Sequence, residues 1–206
     1  MLLQEMIYPA GTRVLLWRLE EEAPQLLALC RQEGIPVDDL LALPVKRQCE
    51  KAAERLLLCR AFGRPVAMGH TEQGAPFVVD SEVNISITHT PRLVAVACCD
   101  GHVIGIDAEQ VDRQQVLRVR DKFLNDSEKQ FIASDDLAAH IIAWTAKEAI
   151  IKATRNSAID WTDGITIQPF DAGLRPLDFH ATCGSRRYRL FSCLLDGHYV
   201  TVAVPL

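Results

Sequence analysis

The sequence predicts an α+β protein of two similar lobes, related by a pseudo-two-fold axis and each built from helices and an antiparallel β-meander. Two observations carry this prediction. Strand-like runs of alternating apolar residues are separated by short turn signals, as expected for antiparallel hairpins. An order of helix followed by strands occurs in each half of the chain, which is typical of two α+β units. We therefore expect an N-terminal lobe over residues 1–101 and a C-terminal lobe over residues 102–206.

The first half is expected to contain one strand, one long helix and a meander. The strand covers 13–19, and the helix covers about 37–62, where Gly63 and Pro65 end the helical pattern. The strand-like runs that follow the helix cover 83–89, 93–99 and 102–109. Because the turn signals Thr90-Pro91 and Asp100-Gly101 separate these runs, we expect them to pair as one antiparallel meander.

The second half is expected to begin with helices and to end with strands. The predicted helices cover about 113–123, 127–133 and 136–154. The predicted strands lie near 164–169, 177–182, 186–195 and 198–204. Asp196-Gly197, between the last two strands, is the turn signal of a two-residue hairpin.

Length and composition exclude several classes of protein. Of the 206 residues 49% are hydrophobic, which argues against disorder, and the net charge of −5 argues against a general nucleic-acid binder. No apolar run approaches the roughly 18 residues of a membrane helix, so we expect a cytoplasmic protein without a membrane segment. The seven cysteines show no CxxC pair and are expected to be reduced core residues.

Two carboxylates lie close together in the segment HVIGIDAEQ. Because side chains alternate along a strand, Asp107 and Glu109 share one face with Gly105, about 7 Å apart at their Cα atoms. Carboxylate oxygens suit Mg²⁺, which takes its remaining ligands from water and from a substrate's phosphates. A strand that runs out into solvent explains the same pair, and for the pair alone it is the more ordinary explanation. A third carboxylate, Glu148, would favour the metal site.

The segment AWTAKEAIIKA, residues 143–153, reads as a helix with two different sides. At about 100° per residue, one side carries Ala143, Ala146, Ala149, Ile150 and Ala153, and the other carries Trp144, Lys147, Glu148, Ile151 and Lys152. An indole among charges indicates a cleft. An ordinary surface ion pair between Glu148 and Lys152, worth roughly 0.2–0.5 kcal/mol, explains the charges equally well.

Two further sets of polar residues are candidates for binding phosphate. His89 and Thr88 lie at the end of a predicted strand, next to a turn. A lone histidine is more often structural than functional, and the sequence leaves both roles open. Arg47 and Lys51 lie on one side of the predicted first helix, where either of them suits a phosphate. Glutamates alternate with them, which also fits a solvated face that neutralises itself.

Several separated motifs agree with one protein family. The chain resembles the phosphopantetheinyl transferases of the Sfp type in GAPF at 74–77, NISITHT at 84–90, GIDAE at 105–109 and WTAKEAIIKA at 144–153. Phe123 and Glu128 match a further element of that family. The resemblance spans roughly residues 74–154 in the family's order and spacing. Thr88 replaces the usual serine, and Ala108 replaces an isoleucine or valine.

The resemblance implies an activity and a set of site residues. The implied reaction transfers 4′-phosphopantetheine from coenzyme A to a serine of an apo acyl or peptidyl carrier protein and releases 3′,5′-adenosine bisphosphate. Asp107, Glu109 and Glu148 would bind Mg²⁺ at the seam between the lobes. Glu148 would also accept the serine proton, and Lys152 would stabilise the leaving phosphate. The expected contacts with coenzyme A come from Arg47, Lys51, Thr88, His89, Lys147 and Lys152.

The alternative is a catalytically inactive relative that binds coenzyme A or a carrier protein as an interaction module. Retention of all three carboxylates and both lysines argues against it. Since carrier proteins of this kind are generally acidic, we expect docking on the basic segment 112–123. The basic residues of that segment are Arg113, Arg118, Arg120 and Lys122. We expect the chain to act as a monomer, in fatty-acid, polyketide or nonribosomal peptide biosynthesis.

Overall fold

The computed structural model describes residues 2–174 and 176–206 of the chain. These residues form helices and antiparallel strands, which confirms the predicted α+β class. The chain divides into two compact units between Gly101 and His102. Among the described residues, no helix is both long enough and apolar enough to span a bilayer.

The first unit contains two α-helices and a four-stranded antiparallel sheet. Its α-helices are α1 (Ala23–Gln32) and α2 (Val45–Phe62), and short 3-10 helices cover Pro9–Gly11 and Asp38–Leu40. Its strands are β1 (Leu2–Tyr8), β2 (Thr12–Arg18), β3 (Met68–His70), β4 (Pro76–Val78), β5 (Asn84–His89) and β6 (Leu93–Cys99). The strand order in the sheet is β1-β2-β6-β5, and β3 pairs with β4 as a separate hairpin.

Helix α2 packs on one face of this sheet. Ala53 and Leu57 of α2 share a buried core with Ile85 of β5 and with apolar residues of β2 and β6. Because side chains alternate along β5, His89 lies on the same face as Ile85 and is directed toward α2. The buried Thr88 lies on the opposite face of the strand.

The second unit contains three α-helices and a five-stranded antiparallel sheet. Its α-helices are α3 (Gln115–Arg118), α4 (Asp126–Lys129) and α5 (Leu137–Thr154), and a 3-10 helix covers Arg120–Lys122. Its strands are β7 (Gly105–Gln110), β8 (Ile165–Ile167), β9 (Leu177–Cys183), β10 (Arg186–Leu195) and β11 (His198–Pro205). The strand order is β7-β11-β10-β9-β8.

Several elements differ from the sequence prediction. Neither β1 nor α1 is predicted, and the long first helix begins at Val45 rather than near residue 37. The run 83–109 is not one meander, because β7 pairs with β11 instead of β6. The turn signal at Asp100-Gly101 indicates a change of direction, but the pairing partner of the next strand lies almost a hundred residues further along the chain.

The predicted hairpin at Asp196-Gly197 is confirmed. Both residues adopt left-handed backbone conformations, with φ of 48° and 72°, and Leu195 pairs with His198 across the turn. Positive φ at both central residues matches the right-handed twist of the flanking strands.

Helix α5 packs closely on β7 and β11. The side chain of Asp136 accepts a hydrogen bond from the backbone N–H of Ala139 at 2.9 Å, which caps the first turn of α5. The predicted apolar side of the helix, from Ala143 to Ala153, is buried. A Cβ atom at Gly105 would overlap the carbonyl oxygen of Ala149, so only glycine permits this approach of strand and helix.

Replacing Gly105 with alanine should lower the free energy of unfolding by roughly 1–3 kcal/mol or more, since the obstructing atoms belong to helix backbone and cannot rotate away. Urea denaturation followed by circular dichroism measures the change. Gly101→Ala is the matched control, because no atom lies within 4 Å of a Cβ placed there. Equal stabilities of the two variants would show that α5 and β7 tolerate separation.

Candidate active site

The carboxylates of β7 lie beside α5, and each has a cationic partner. Asp107 is opposite Thr201 in the sheet, and the Thr201 hydroxyl hydrogen-bonds to that of Thr145 on α5 at 2.7 Å. Lys152 Nζ on α5 donates to Asp107 Oδ1 at 2.8 Å and to the carbonyl of Ile106 at 2.9 Å. Two residues along the strand, the Glu109 carboxylate forms an ion pair with Arg113.

Glu148 lies on α5 one turn before Lys152. The charges of Asp107, Lys152 and Arg113 all act on its carboxyl group. Burial is the largest cause that raises the pKa of its carboxyl, and the negative charge of Asp107 raises it further. The positive charges of Lys152 and Arg113 act in the opposite direction. Glu148 therefore holds a proton more readily than an ordinary glutamate.

These carboxylates match Mg²⁺ in the kind of ligand that they offer. Carboxylate oxygens are the hard ligands that this cation prefers. Burial and the neighbouring charge of Asp107 both raise the pKa of Glu148, and a bound cation would offset both effects. As the described side chains lie, no group of three or more His, Cys, Asp or Glu residues is arranged to hold a metal ion. Lys152 and Arg113 supply the positive charge at Asp107 and Glu109.

An apolar groove of about 280 Å³ lies next to Arg113. Its aromatic rings pack on one another, with 4.7 Å between the ring centroids of Trp144 and Trp161 and 5.2 Å between those of Phe123 and Trp144. The guanidinium carbon of Arg113 lies 5.7 Å from the Trp144 ring centroid. The groove is lined by Arg113, Gln115, Val116, Val119, Lys122, Phe123, Trp144 and Trp161.

The structure corrects the sequence prediction for Lys147. This lysine is fully buried, and its Nζ donates to Glu128 Oε2 at 2.7 Å and to the carbonyls of Trp161 and Ile165 at 2.7 and 3.0 Å. All three hydrogens of the ammonium group are therefore in use within the protein. Lys147 does not share a cleft with Glu148 and Lys152, and a contact with coenzyme A is no longer expected for it.

Glu128, which the sequence matches to a family element, is the buried partner of Lys147. It is 0% exposed, and its oxygens also accept hydrogen bonds from the backbone N–H groups of Ile167 at 2.7 Å and Asn125 at 2.9 Å. The ion pair thus ties α4, α5 and β8 together. Through the carbonyl of Trp161 it also fixes one wall of the apolar groove.

In the first unit, two of the predicted phosphate ligands come together around a buried carboxylate. Arg47 Nη1 donates to Glu50 Oε2 at 2.6 Å and lies 3.3 Å from His89 Nε2. The side chains of Arg47 and His89 are 45% and 43% exposed, whereas that of Glu50 is 4% exposed. The sequence contains a signal for this cluster, the i, i+3 spacing of Arg47 and Glu50, but it does not show that the glutamate is buried.

The remaining predicted ligands of the first unit are placed differently. Lys51 Nζ donates to both carboxylate oxygens of Glu54, at 2.9 and 3.0 Å, and Glu54 is buried like Glu50. The charges on this face of α2 therefore neutralise one another, as the sequence allows, but the two glutamates are buried rather than solvated. Thr88 does not join the cluster, because it lies on the face of β5 opposite to His89.

The predicted docking segment 112–123 is not one helix. It is broken into α3 and the 3-10 helix Arg120–Lys122. Arg118 and Lys122 are exposed, but Arg113 is engaged by Glu109 and Trp144 at the candidate site. The sequence does not reveal this ion pair. An i, i+4 spacing brings two side chains together on a helix, but Glu109 lies on a strand.

The raised pKa of Glu148 predicts that this carboxylate destabilises the metal-free fold at neutral pH. The folded state holds the Glu148 proton more tightly than the unfolded state, so stability falls as pH rises from the ordinary value of 4.5 through the folded-state pKa. Glu148→Gln should therefore raise the Tm at pH 7 in the presence of a chelator, and the gain should vanish below pH 4.5. The exposed Glu82 provides the control variant Glu82→Gln. A gain that does not depend on pH would contradict the assignment.

Lys147→Met should destabilise the protein by about 3–5 kcal/mol, because it leaves the Glu128 carboxylate buried without its cation. Urea denaturation measures the loss, and adding Glu128→Gln should restore part of it. Lys129→Met removes a partly exposed ion pair with Asp121 and should cost about 1 kcal/mol or less. If the two lysine variants lost the same stability, the buried pair would have no special structural role.

Comparison with known proteins bears on the second unit. Residues 103–203 match the family model of the 4′-phosphopantetheinyl transferase superfamily, and this range contains Asp107, Glu109, Glu148 and Lys152. A search of curated protein sequences gives no significant match. The family match confirms the resemblance that the motifs indicate. Residues 103–203, which make up nearly all of the second unit, therefore match the 4′-phosphopantetheinyl transferase superfamily, whose members transfer phosphopantetheine.

Proposed function

We propose that the protein transfers 4′-phosphopantetheine from coenzyme A to a serine of an apo acyl or peptidyl carrier protein. The observation that carries this proposal is the close placement of Asp107, Glu148 and Lys152, with Glu109 on the same face of β7, within the residues that match the superfamily. A set of carboxylates with a lysine is suited to a phosphate group and its counter-ion.

Asp107, Glu109 and Glu148 are the proposed holders of Mg²⁺. When bound there, the ion would neutralise charge on the pyrophosphate of coenzyme A. Supporting this, the carboxylates of Asp107 and Glu109 already hold a lysine and an arginine, so positive charge is stabilised at these positions.

The proposed reaction is a displacement at phosphorus. The serine oxygen of the carrier protein forms a bond to the β-phosphate, and the bond from that phosphorus to the oxygen of the leaving 3′,5′-adenosine bisphosphate breaks. Glu148 accepts the serine proton, since its raised pKa makes it a stronger base than an ordinary glutamate. Lys152, with an ammonium group on α5, donates to the leaving phosphate.

The uncharged parts of the substrate require a different surface. The groove of Val116, Phe123, Trp144 and neighbouring residues is apolar and lies beside Arg113, the partner of Glu109. We assign it to the pantetheine chain, which carries no charge. In the first unit, Arg47 and His89 are the proposed contacts for the phosphates of coenzyme A, because both side chains are exposed. Lys51 Nζ is held by both oxygens of Glu54, and Thr88 is buried on the opposite face of β5, so the proposal does not rest on them.

The test is transfer itself, followed as the gain in mass of an apo carrier protein incubated with coenzyme A and Mg²⁺. Asp107→Asn and Glu148→Gln should each reduce transfer by about 100-fold or more, as expected for a ligand of the reacting centre and for its general base. Lys152→Met should lower kcat and kcat/KM equally, because its contact is made with the developing charge of the leaving group. The exposed Asp135 provides the control variant Asp135→Asn.

The outcomes separate this enzyme from an interaction module. A protein that binds coenzyme A or the carrier protein without any gain in mass is the inactive relative. Near-normal turnover of Asp107→Asn with Mg²⁺ would show that the proposed metal site is wrong, even if the wild-type protein is active.

A further inference from the structure

We propose that Glu50 is a positioning residue. It holds the Arg47 guanidinium so that the Nε and Nη2 edge of this group can bind a phosphate group of coenzyme A. This inference rests on the proposed function. It concerns a buried acid that the family resemblance does not single out, in a cluster formed entirely within the first unit.

The Glu50 carboxylate is the centre of that cluster. Its Oε2 accepts the hydrogen bond from Arg47 Nη1 at 2.6 Å, and its Oε1 lies 3.8 Å from Lys46 Nζ and 3.7 Å from His89 Nδ1. A buried carboxylate is stable only when it is paired, and here the partners come from α2 and from the end of β5. Glu50 therefore joins a helix and a strand through one charged group.

The contacts with Arg47 use one corner of the guanidinium. Glu50 and His89 both contact Nη1, and a guanidinium carries five N–H donors in a planar fork. Within the described residues, no hydrogen bond to Nε or Nη2 of Arg47 accompanies them, and the side chain is 45% exposed. The Nε and Nη2 edge is the edge that binds phosphate or carboxylate through two parallel hydrogen bonds.

His89 adds a second anchor to the same corner. Because a guanidinium only donates, Nε2 of His89 is the acceptor in this contact, and its Nδ1 lies on the side of Glu50. Each of the three side chains, Arg47, Glu50 and His89, therefore lies next to the other two. Arg47 is held at Nη1 from two directions, so little side-chain entropy remains to be lost when its other edge binds an anion.

Glu54 provides a matched comparison in the same helix. It lies one turn beyond Glu50, is equally buried, and also pairs with a cation three residues earlier, Lys51. Its two hydrogen bonds both come from Lys51 Nζ, and it makes no contact with His89 in the described structure. Removing the Glu54 charge therefore has a similar structural cost but leaves Arg47 in place.

Two opposite effects are expected when Glu50 becomes neutral. Loss of a negative charge strengthens the long-range attraction between the cluster and an anion. Loss of the strong bond to Nη1 releases the guanidinium and weakens binding. The second effect is expected to be the larger one, so the Kd for the anion should rise when Glu50 becomes neutral. A fall in the Kd would mean that the first effect is larger.

The experiment measures binding of 3′,5′-adenosine bisphosphate to the full chain by isothermal titration calorimetry, at fixed Mg²⁺ and salt. Glu50→Gln should raise the Kd about five-fold or more, the effect of one lost charge-assisted hydrogen bond, whereas Glu54→Gln should change it less than about two-fold. In an Arg47→Ala background, Glu50→Gln should no longer raise the Kd, because the group that it positions is gone and only the loss of negative charge remains.

Several results would overturn the inference. These are an unchanged or lower Kd for Glu50→Gln, an equal loss for Glu54→Gln, an undiminished effect in the Arg47→Ala background, and no binding of the bisphosphate by wild-type protein. The transfer assay separates these from failure of the proposed function. A wild-type protein that modifies the carrier but shows any of these results retains its function and loses only the role of Glu50.

Discussion

The contact between the backbones of α5 and β7 at Gly105 determines the geometry of the candidate site. A side chain at this position would overlap the carbonyl of Ala149, so the strand and the helix lie as close as two backbones can. Alternation along β7 then places Asp107 and Glu109 on the helix side of the strand. Glu148 and Lys152 flank Ala149 on α5, and the close approach brings both of them within reach of Asp107.

Neighbouring residues of α5 meet opposite environments because a helix turns by about 100° per residue. Lys147 is buried in a network in which every hydrogen of its ammonium group has an acceptor, while the next residue, Glu148, is directed toward the β7 carboxylates. The first residue supports a wall of the apolar groove through the carbonyl of Trp161, and the second is the general base of the proposed reaction. Burial of a charge is tolerated at Lys147 because Glu128 lies within 2.7 Å.

The two units use buried carboxylates in different ways. In the first unit, Glu50 and Glu54 are each matched by a cation three residues earlier on α2, so their charges are compensated locally. In the second unit, burial is the main cause that raises the pKa of Glu148 and the charge of Asp107 adds to it, whereas Lys152 and Arg113 act in the opposite direction. A buried carboxylate with a raised pKa makes the fold less stable than a neutral side chain would, and such a cost is expected where a substrate or cation completes the arrangement.

The sequence by itself determined the α+β class, the hairpin at Asp196-Gly197 and the superfamily, because strand alternation, turn dipeptides and short motifs are local properties of the chain. The tertiary structure alone decided that β7 pairs with β11, that Lys147 is buried and that Glu50 lies under Arg47 and His89. Each of these depends on which distant element covers a given face. Periodicity shows that a helix has two sides, but it does not show what packs against them, and the same lysine or glutamate is a surface charge or a buried anchor according to that neighbour.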